Sequence, residues 1–213
     1  MAKQGHVKPV AERPGEAPVR RRILEAAFCA FRERGFAETS TLEIATRARA
    51  SKRELYALFG SKQDMLIACI RDRARRFELP VELPEPGDPE TLRGVLVAFG
   101  SRLLQETTDP AVVTAFRLAI AEAVRTPEVA QALSAAGMEA SRAALGNVMT
   151  RARANGLLAG AVPEMVDHFT GLLWGNRMVS LLLGVAERPS PREAAQRAEA
   201  AAAALLRIHA PAR

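Results

Sequence analysis

The chain of 213 residues has a hydrophobic content of 48% and a formal net charge of +6, a composition that excludes an intrinsically disordered protein. Its two cysteines, Cys29 and Cys69, exclude a disulfide framework and have no second ligand at metal spacing, so we expect no metal and no cofactor. The longest apolar stretch, residues 169–185, is interrupted by Asn176 and Arg177 and is too short to span a bilayer. Since the N-terminus also lacks the apolar run of a signal peptide, we predict a cytoplasmic protein with no membrane partner.

Positive charge is concentrated in the first part of the chain. Residues 1–76 contain 17 Lys and Arg against 9 Asp and Glu, whereas residues 77–213 contain 13 against 15. Such an imbalance is typical of a domain that binds a polyanion. An ordinary solvated basic surface explains the same charges, so charge alone leaves both interpretations open.

The first 34 residues divide into an arm and a helix. Residues 1–17 have no periodic apolar pattern, which predicts a disordered basic arm that either contacts DNA or keeps the protein in solution. From Pro18 to Arg34 the apolar residues recur at helical spacing, and Gly35 follows as the residue that ends many helices in a left-handed conformation. We therefore predict the first helix over these residues, with Cys29 and later Cys69 on apolar helix faces as buried, inert thiols; a redox sensor is the alternative.

Three serines between residues 40 and 61 are each followed, three residues later, by an acidic residue. This spacing is a capping box, in which the serine and the acid satisfy the free N–H groups at a helix start. The pairs are Ser40–Glu43, Ser51–Glu54 and Ser61–Asp64. The third predicts a helix from Ser61 to about Phe77. The first two predict a pair of short helices, and the second of these leaves Lys52, Arg53, Tyr56 and Ala57 outward. That is a helix-turn-helix with positive charge at the N-terminus of its second helix, where it can enter a DNA major groove.

A break follows at residues 79–89, which contain four prolines and a glycine and predict a domain boundary. Beyond it, capping residues that precede prolines mark most helix starts. The predicted helices lie at 89–106, 110–125, 127–154, 163–184 and 191–208. No stretch shows sustained strand alternation, so we predict an all-α fold with nine helices and two domains, residues 18–78 and 79–213.

Residues 20–70 resemble the DNA-binding domain of TetR-family transcriptional regulators. The matching residues are RRRILEAAFCAFRERGFAETSTLEIA and then SKRELYALFGSK. The stretch FRLAIAEAVRTPEVA, residues 116–130, also resembles the ligand domain of an AefR-like branch of that family. The resemblance implies an N-terminal three-helix helix-turn-helix domain followed by a larger helical domain that binds an effector and dimerises.

The resemblance also implies roles for individual residues. Thr41 and Tyr56 match phosphate-contacting positions, although Tyr56 could instead belong partly to the core. Lys52 and Arg53 match positions that reach base edges or backbone, and Lys62 matches a lysine that clamps a phosphate at the start of the fourth helix. The predicted DNA-binding residues are Thr41, Lys52, Arg53, Glu54, Tyr56, Ala57 and Lys62.

Three positions depart from the family pattern. Arg49 stands where a glycine is usual, which predicts either a left-handed residue at about 1 kcal/mol or a different turn. Glu54 replaces a small residue or threonine; it serves the cap and repels phosphate unless it pairs with a lysine or accepts from a cytosine amine. Ala57 and Leu58 replace larger polar groups, so the base preferences of relatives do not transfer to this chain.

For the second domain the resemblance implies a small-molecule effector, and its apolar composition favours a small, largely apolar one that releases the protein from DNA, as in a repressor. Isolated polar residues within apolar helices are the candidate effector contacts, although core packing explains them as well. They are Arg117, His168, Trp174, Asn176 and Arg177. The alanine-rich last helix predicts a homodimer through residues 163–184 and 191–208 on a partly palindromic operator, unless that helix is only an alanine-rich surface.

The alternative function is a helical small-molecule-binding protein or enzyme without specific DNA recognition. The sequence has no visible Ser/His/Asp set, metal pair or Gly-rich phosphate loop. We therefore predict a sequence-specific DNA-binding transcriptional regulator and no enzyme.

Overall fold

The computed structural model describes residues 16–75 and 85–211, and every regular element there is helical. The α-helices are α1 (Glu16–Arg34), α2 (Thr41–Ala48), α3 (Lys52–Phe59), α4 (Lys62–Arg75), α5 (Pro89–Thr107), α6 (Pro110–Glu122), α7 (Pro127–Leu133), α8 (Glu139–Ala154), α9 (Val162–Trp174), α10 (Arg177–Leu183) and α11 (Pro191–Ile208). A single π-helical turn, Ser134–Met138, joins α7 to α8. The predicted all-α fold is confirmed.

The predicted count of nine helices is wrong, because eleven α-helices occur among the described residues. The π-helical turn divides the predicted helix at 127–154 into α7 and α8. The predicted helix at 163–184 is divided by Gly175, which ends α9 at a positive φ of 50°. A local change in hydrogen bonding and one glycine thus account for the two extra helices.

The chain forms two compact units that divide between Cys69 and Ile70, within α4. The predicted arm lies largely outside the described residues, since α1 begins at Glu16. The predicted proline-rich boundary also lies mostly outside them, since residues 76–84 are not described.

The first unit packs α1 closely against α2 around a core of buried apolar side chains. Each buried side chain of this size stabilises the fold by about 1.5–3 kcal/mol. The core residues include Ile23, Leu24, Phe28, Phe31, Ile44, Leu55, Phe59, Met65 and Leu66. Cys69 is buried as predicted, and its thiol donates to the Leu24 carbonyl over 3.4 Å, whereas Cys29 is only half-buried.

Serine caps begin α2, α3 and α4 as the sequence predicts, but only one of the three predicted boxes is complete. At α4 the Asp64 N–H donates to the Ser61 hydroxyl over 3.0 Å, and that hydroxyl donates to the Asp64 carboxylate. The Ser40 hydroxyl accepts from the Glu43 N–H over 3.1 Å, but the Glu43 carboxylate pairs with Arg47 (2.8 Å) and Arg34 (3.4 Å) rather than returning to Ser40. The box between Ser51 and Glu54 is complete. α2 therefore begins with a single cap and α3 with a reciprocal one.

Arg49 ends α2 in the left-handed conformation, with φ 50° and ψ 49°, and is the only non-glycine residue with positive φ among the described residues. Its N–H donates to the carbonyls of Ala45 and Thr46. Of the two predicted outcomes, the left-handed arginine is therefore the one observed.

The second unit is organised around the packing of α11 against α5 and α9. A Cβ atom on Gly100 of α5 would lie 3.1 Å from side-chain atoms of Ala198, Leu173 and Phe169. Small residues at this crossing allow α5 and α11 to approach closely. Ala194, Ala198, Ala201 and Ala202 are buried here, so much of the alanine face of α11 packs within the chain.

Candidate DNA interface and effector cavity

The outward face of α3 carries two cations that have no partner among the described residues. Lys52 and Arg53 are exposed, and no described residue pairs with either side chain. Ala57 is exposed on the same helix, whereas Leu55 and Phe59 are buried against the core. Charged and apolar faces are therefore separated on α3 as the sequence predicts.

A hydrogen bond joins the start of α2 to the middle of α3. The hydroxyls of Thr41 and Tyr56 lie 3.2 Å apart, and Tyr56 is 45% exposed. Two of the predicted phosphate-contacting residues are thus brought to one place on the surface. Because one hydroxyl donates to the other, the pair keeps one proton with which to bind an anionic oxygen.

The Glu54 carboxylate is committed to the start of α3. Its Oε2 accepts from the Ser51 N–H and from the Ser51 hydroxyl, each over 2.7 Å. The backbone bond, then the hydroxyl bond, hold the pKa of Glu54 below its usual value, with a smaller contribution from the positive charge of Arg22. Glu54 therefore stays ionised and shapes the N-terminus that carries Lys52.

The Lys62 ammonium points into the protein's own backbone. It donates to the carbonyls of Phe36 (2.8 Å), Thr39 (3.0 Å) and Ala37 (3.3 Å), and it lies 4.5 Å from the centroid of the Phe36 ring. An ammonium has three protons, and each has a carbonyl partner here.

Other features of this surface lie outside the predicted set. Arg22 donates from Nε to the Ala48 carbonyl over 3.3 Å, and the Arg20 guanidinium lies 5.3 Å from the Phe59 ring centroid. Leu42, the second residue of α2, is 58% exposed. An apolar residue on the polar face of an amphipathic helix is the signal by which Leu42 can be found in the sequence. The arginine contacts span more than 20 residues and have no such signal.

The second unit contains a cavity of about 200 Å³ with mostly apolar walls. It is lined from α4 by Ile70, from α5 by Phe99, Leu103, Glu106 and Thr107, from α6 by Val112, Ala115 and Phe116, from α7, the π-helical turn and α8 by Leu133, Met138, Ser141, Arg142 and Leu145, and from α9 and α10 by Thr170, Trp174 and Met178. The two charged residues at the walls each have a partner: Glu106 pairs with Arg102, and Arg142 pairs with Asp167. An apolar cavity with a few polar groups is the usual form of a small-molecule site.

Of the five predicted effector residues, the structure places only Trp174 at this cavity. Arg117 donates to the carbonyls of Leu181 and Leu182 and so caps the C-terminus of α10. His168 Nδ1 lies 2.9 Å from Nε2 of His209, which is buried.

The remaining two predicted effector residues lie at the start of α10. Asn176 is exposed there as the residue that precedes the helix. The Nε of Arg177 is buried without a hydrogen-bond partner among the described residues. The bonds from Ser190 lower the pKa of Glu193, and the charge of Arg177 makes a smaller contribution in the same direction. The isolated polar residues of these helices are mostly helix caps and buried polar contacts. The walls of the cavity are instead mostly apolar residues, which no local sequence pattern marks.

Exposed apolar side chains lie along α9, α10 and the residues after it. Leu172, Val179, Leu183 and Val185 are 39%, 59%, 71% and 76% exposed. Large apolar groups that lie near one another on a surface mark a contact with another molecule. None of the described helices is long and apolar enough to cross a membrane.

The described residues include no group of three or more His, Cys, Asp and Glu side chains that could hold a metal ion. The groups on the outward faces of α2 and α3 include cations and hydroxyls, and the walls of the cavity are mostly apolar. They suit the binding of an anionic polymer at α3 and of a small apolar molecule in the second unit.

Both units match family models. Residues 23–69 match the model of bacterial regulatory proteins of the tetR family, and residues 94–211 match the C-terminal domain of AefR-like transcriptional repressors. No curated protein matches the chain.

Solved structures agree with both matches. A TetR-family transcriptional regulator from Mesorhizobium loti is 26% identical, with a TM-score of 0.79, and the alignment covers 93% of this chain and 100% of that one. The flavonoid-responsive regulator FrrA is 26% identical, with a TM-score of 0.76 and coverage of 92% and 100%. A TetR transcriptional regulator from Agrobacterium tumefaciens is 25% identical, with a TM-score of 0.79 and coverage of 90% and 94%. The chain therefore belongs to the TetR family of DNA-binding transcriptional regulators, and its second domain is of the AefR-like repressor type.

Proposed function

We propose that the protein binds a partly palindromic operator as a two-fold dimer and that a small, largely apolar effector releases it. The observation that carries this proposal is the outward face of α3, where Lys52 and Arg53 are exposed without a partner among the described residues. In the proposed complex they reach base edges or phosphates, and the Thr41–Tyr56 pair binds a phosphate oxygen. Ala57 is small enough to contact the methyl group of a thymine.

Protection of DNA upstream of the protein's own gene, together with binding titrations at several salt concentrations, tests the DNA part of the proposal. We expect two half-sites whose centres lie about 34–36 Å apart, one helical turn. Lys52→Ala should lose ~1–3 kcal/mol of discrimination at one base pair in each half-site. Arg93→Ala, which removes an exposed cation paired with Glu199 in the second unit, should leave binding unchanged. An asymmetric site protected by a monomer at saturation would contradict the two-fold arrangement.

The proposed dimer seam uses residues 163–184 and 191–208. Leu172, Val179 and Leu183 supply exposed apolar surface on α9 and α10, and Ile208 at the end of α11 is 56% exposed. Because the buried alanines of α11 face α5, only the opposite edge of α11 is available to a second subunit.

Replacing Val179 and Leu183 together by aspartate tests this seam. Two charges per subunit in a buried apolar contact should dissociate the dimer, as measured by light scattering after size-exclusion chromatography. Val124→Asp changes a residue that is 94% exposed at the end of α6 and should leave the dimer intact. A dimer that survives the double substitution would place the seam elsewhere.

The proposed effector occupies the cavity of the second unit and contacts Trp174. A volume of about 200 Å³ and mostly apolar walls favour a compact molecule with few charged groups. Since the similar regulator FrrA is flavonoid-responsive, flat polyphenols are the first probes to use.

A thermal-shift screen of flavonoids and other lipophilic compounds tests the effector site. Ala115→Trp places an indole in the cavity and should abolish the increase in melting temperature that a bound compound gives. Ala121→Trp changes an exposed position on the same helix and should retain it. A compound that stabilises both variants equally binds elsewhere.

A further inference from the structure

We propose that Lys62 is a positioning residue: its ammonium holds the turn between α1 and α2 and thereby sets the position of the Thr41–Tyr56 pair for DNA. This inference rests on the proposed function, and it gives Lys62 a role other than a direct phosphate contact. The inference rests on the contact of one ammonium with three backbone carbonyls of a turn that lies more than 20 residues away in the sequence.

The three protons of the Lys62 ammonium all have acceptors in the turn. Its Nζ lies 2.8 Å from the Phe36 oxygen, 3.0 Å from that of Thr39 and 3.3 Å from that of Ala37. These three bonds use all of its donors, and the face of the Phe36 ring adds a cation–π contact. A phosphate oxygen would have to replace one of these carbonyls in order to accept a hydrogen bond.

The turn between α1 and α2 is held from two sides. Thr39, whose carbonyl Lys62 binds, is buried, and its hydroxyl lies within hydrogen-bond distance of the carbonyls of Gly35 (2.7 Å) and Ala30 (3.1 Å). The turn is therefore held to α1 on one side by Thr39 and to α4 on the other by Lys62.

The turn also connects to the DNA-binding surface. Ser40, the next residue, caps α2 through the Glu43 N–H, and Thr41 is the first residue of that helix. Thr41 in turn contacts the Tyr56 hydroxyl on α3. A shift of the turn would therefore move the hydroxyl pair and the exposed N–H groups of α2 together.

Lys52 provides the matched comparison within the same unit. Both are lysines at the first residue of a helix, but the Lys52 ammonium is exposed and has no partner among the described residues. If the Lys52 ammonium contacts a base edge or a phosphate and Lys62 positions the turn, the two substitutions by alanine should differ. Lys52→Ala should relax base preference or flatten the salt slope, whereas Lys62→Ala should do neither. The slope of log K against log salt is negative, and each phosphate contact that is lost reduces its magnitude by about 0.9, or by about 1.8 for a two-fold dimer.

The experiment measures operator affinity and its salt dependence for the full-length wild type and for Lys52→Ala, Lys62→Ala, Lys62→Arg and Thr39→Val, at a temperature at which circular dichroism shows each to be folded. We expect Lys62→Ala to lose on the order of tenfold in affinity with an unchanged salt slope, since bonds from a charged donor are lost but no phosphate contact is. Lys62→Arg keeps the charge, but a planar guanidinium cannot reproduce three bonds from one nitrogen, so it should be similarly impaired.

Thr39→Val separates positioning from charge, because it loosens the same turn without removing a cation. It should also lower affinity with an unchanged slope, and its effect should be less than additive with that of Lys62→Ala. Operator binding by the wild type and its salt dependence test the proposed function independently of these variants.

Two results would overturn the inference. A flatter salt slope for Lys62→Ala, together with wild-type affinity for Lys62→Arg, would make Lys62 a phosphate contact. Unchanged affinity of folded Lys62→Ala, with only a lower melting temperature, would make its contacts purely stabilising.

Discussion

The two units of this regulator encode their functional sites in opposite ways. The candidate DNA contacts of the first unit all lie between Thr41 and Lys62, and serines with acidic partners three residues later begin the helices that carry them. The cavity of the second unit draws on residues from Ile70 to Met178 on eight successive elements. A site built by local rules on a short segment can be found in a sequence, whereas a site that exists only after helices pack cannot.

The largest effect should come from breaking the long-range packing of the second unit. Gly100→Val would place a branched side chain where a single Cβ already lies 3.1 Å from Ala198, Leu173 and Phe169. We expect the free energy of unfolding to fall by about 1–3 kcal/mol through overpacking, as measured by urea denaturation.

Gly94→Ala is the matched control for this substitution, because it lies on the same helix and a Cβ there meets nothing within 4 Å. It should instead stabilise α5 by roughly 0.5–1 kcal/mol, since alanine is the better helix former. Equal effects of the two substitutions would show that the close approach of α5 and α11 does not require glycine.

A smaller effect, of opposite sign, should follow from relieving the one strained backbone position in the first unit. Arg49→Gly keeps the turn but removes the Cβ from a left-handed residue, so the free energy of unfolding should rise by about 1 kcal/mol. Arg49→Ala loses the same charge and keeps the Cβ. If thermal or urea unfolding shows the same gain for both, charge rather than conformation is responsible.

The smallest effect concerns pH and the cap of α3. Because the bonds from Ser51 lower the pKa of Glu54, ionised Glu54 stabilises the fold above its unfolded pKa, and this contribution is lost as the pH falls through the lowered folded pKa. The difference in stability between wild type and Glu54→Gln should therefore be constant above about pH 4.5 and shrink below it.

Glu193, held in the same way by Ser190 at the start of α11, provides a parallel case in the second unit. Urea midpoints from pH 7 to pH 3, measured for the wild type, Glu54→Gln and Glu193→Gln, test both caps. A difference between wild type and Glu54→Gln that grows on acidification would contradict the cap.

The outcome for individual residues follows the same division between local and long-range contacts. The caps by Ser51 and Ser190 depend on neighbours within five residues and could be predicted from the sequence, whereas at Arg49 the sequence left two turns open. By contrast, the partners of Lys62 lie at least 23 residues away, and those of Arg117 lie 64 and 65 residues away. Such contacts appear only when helices distant in sequence come together.

Helix boundaries show the same limit on a smaller scale. The start of α11 at Pro191 follows from proline and cap signals and was correctly predicted. The break at Gly175 and the π-helical turn of Ser134–Met138 were not, because helical periodicity continues through both. The alanines of α11 carry a further ambiguity, since small residues suit a close contact within the chain as well as one between subunits. Ala198 lies at the crossing with Gly100, and the core of the second unit buries Ala194, Ala201 and Ala202.

The most direct test of the account is the operator dissociation constant measured with and without a saturating compound that stabilises the wild type but not Ala115→Trp. Because binding at the two sites must be reciprocally coupled, the compound should weaken operator binding by the wild type by ~1–3 kcal/mol, about 5–150-fold. The dissociation constant of Ala115→Trp should not change when the compound is added, whereas that of Ala121→Trp should increase as in the wild type. An unchanged wild-type dissociation constant at saturation, or full release of Ala115→Trp, would contradict an effector switch that operates through this cavity.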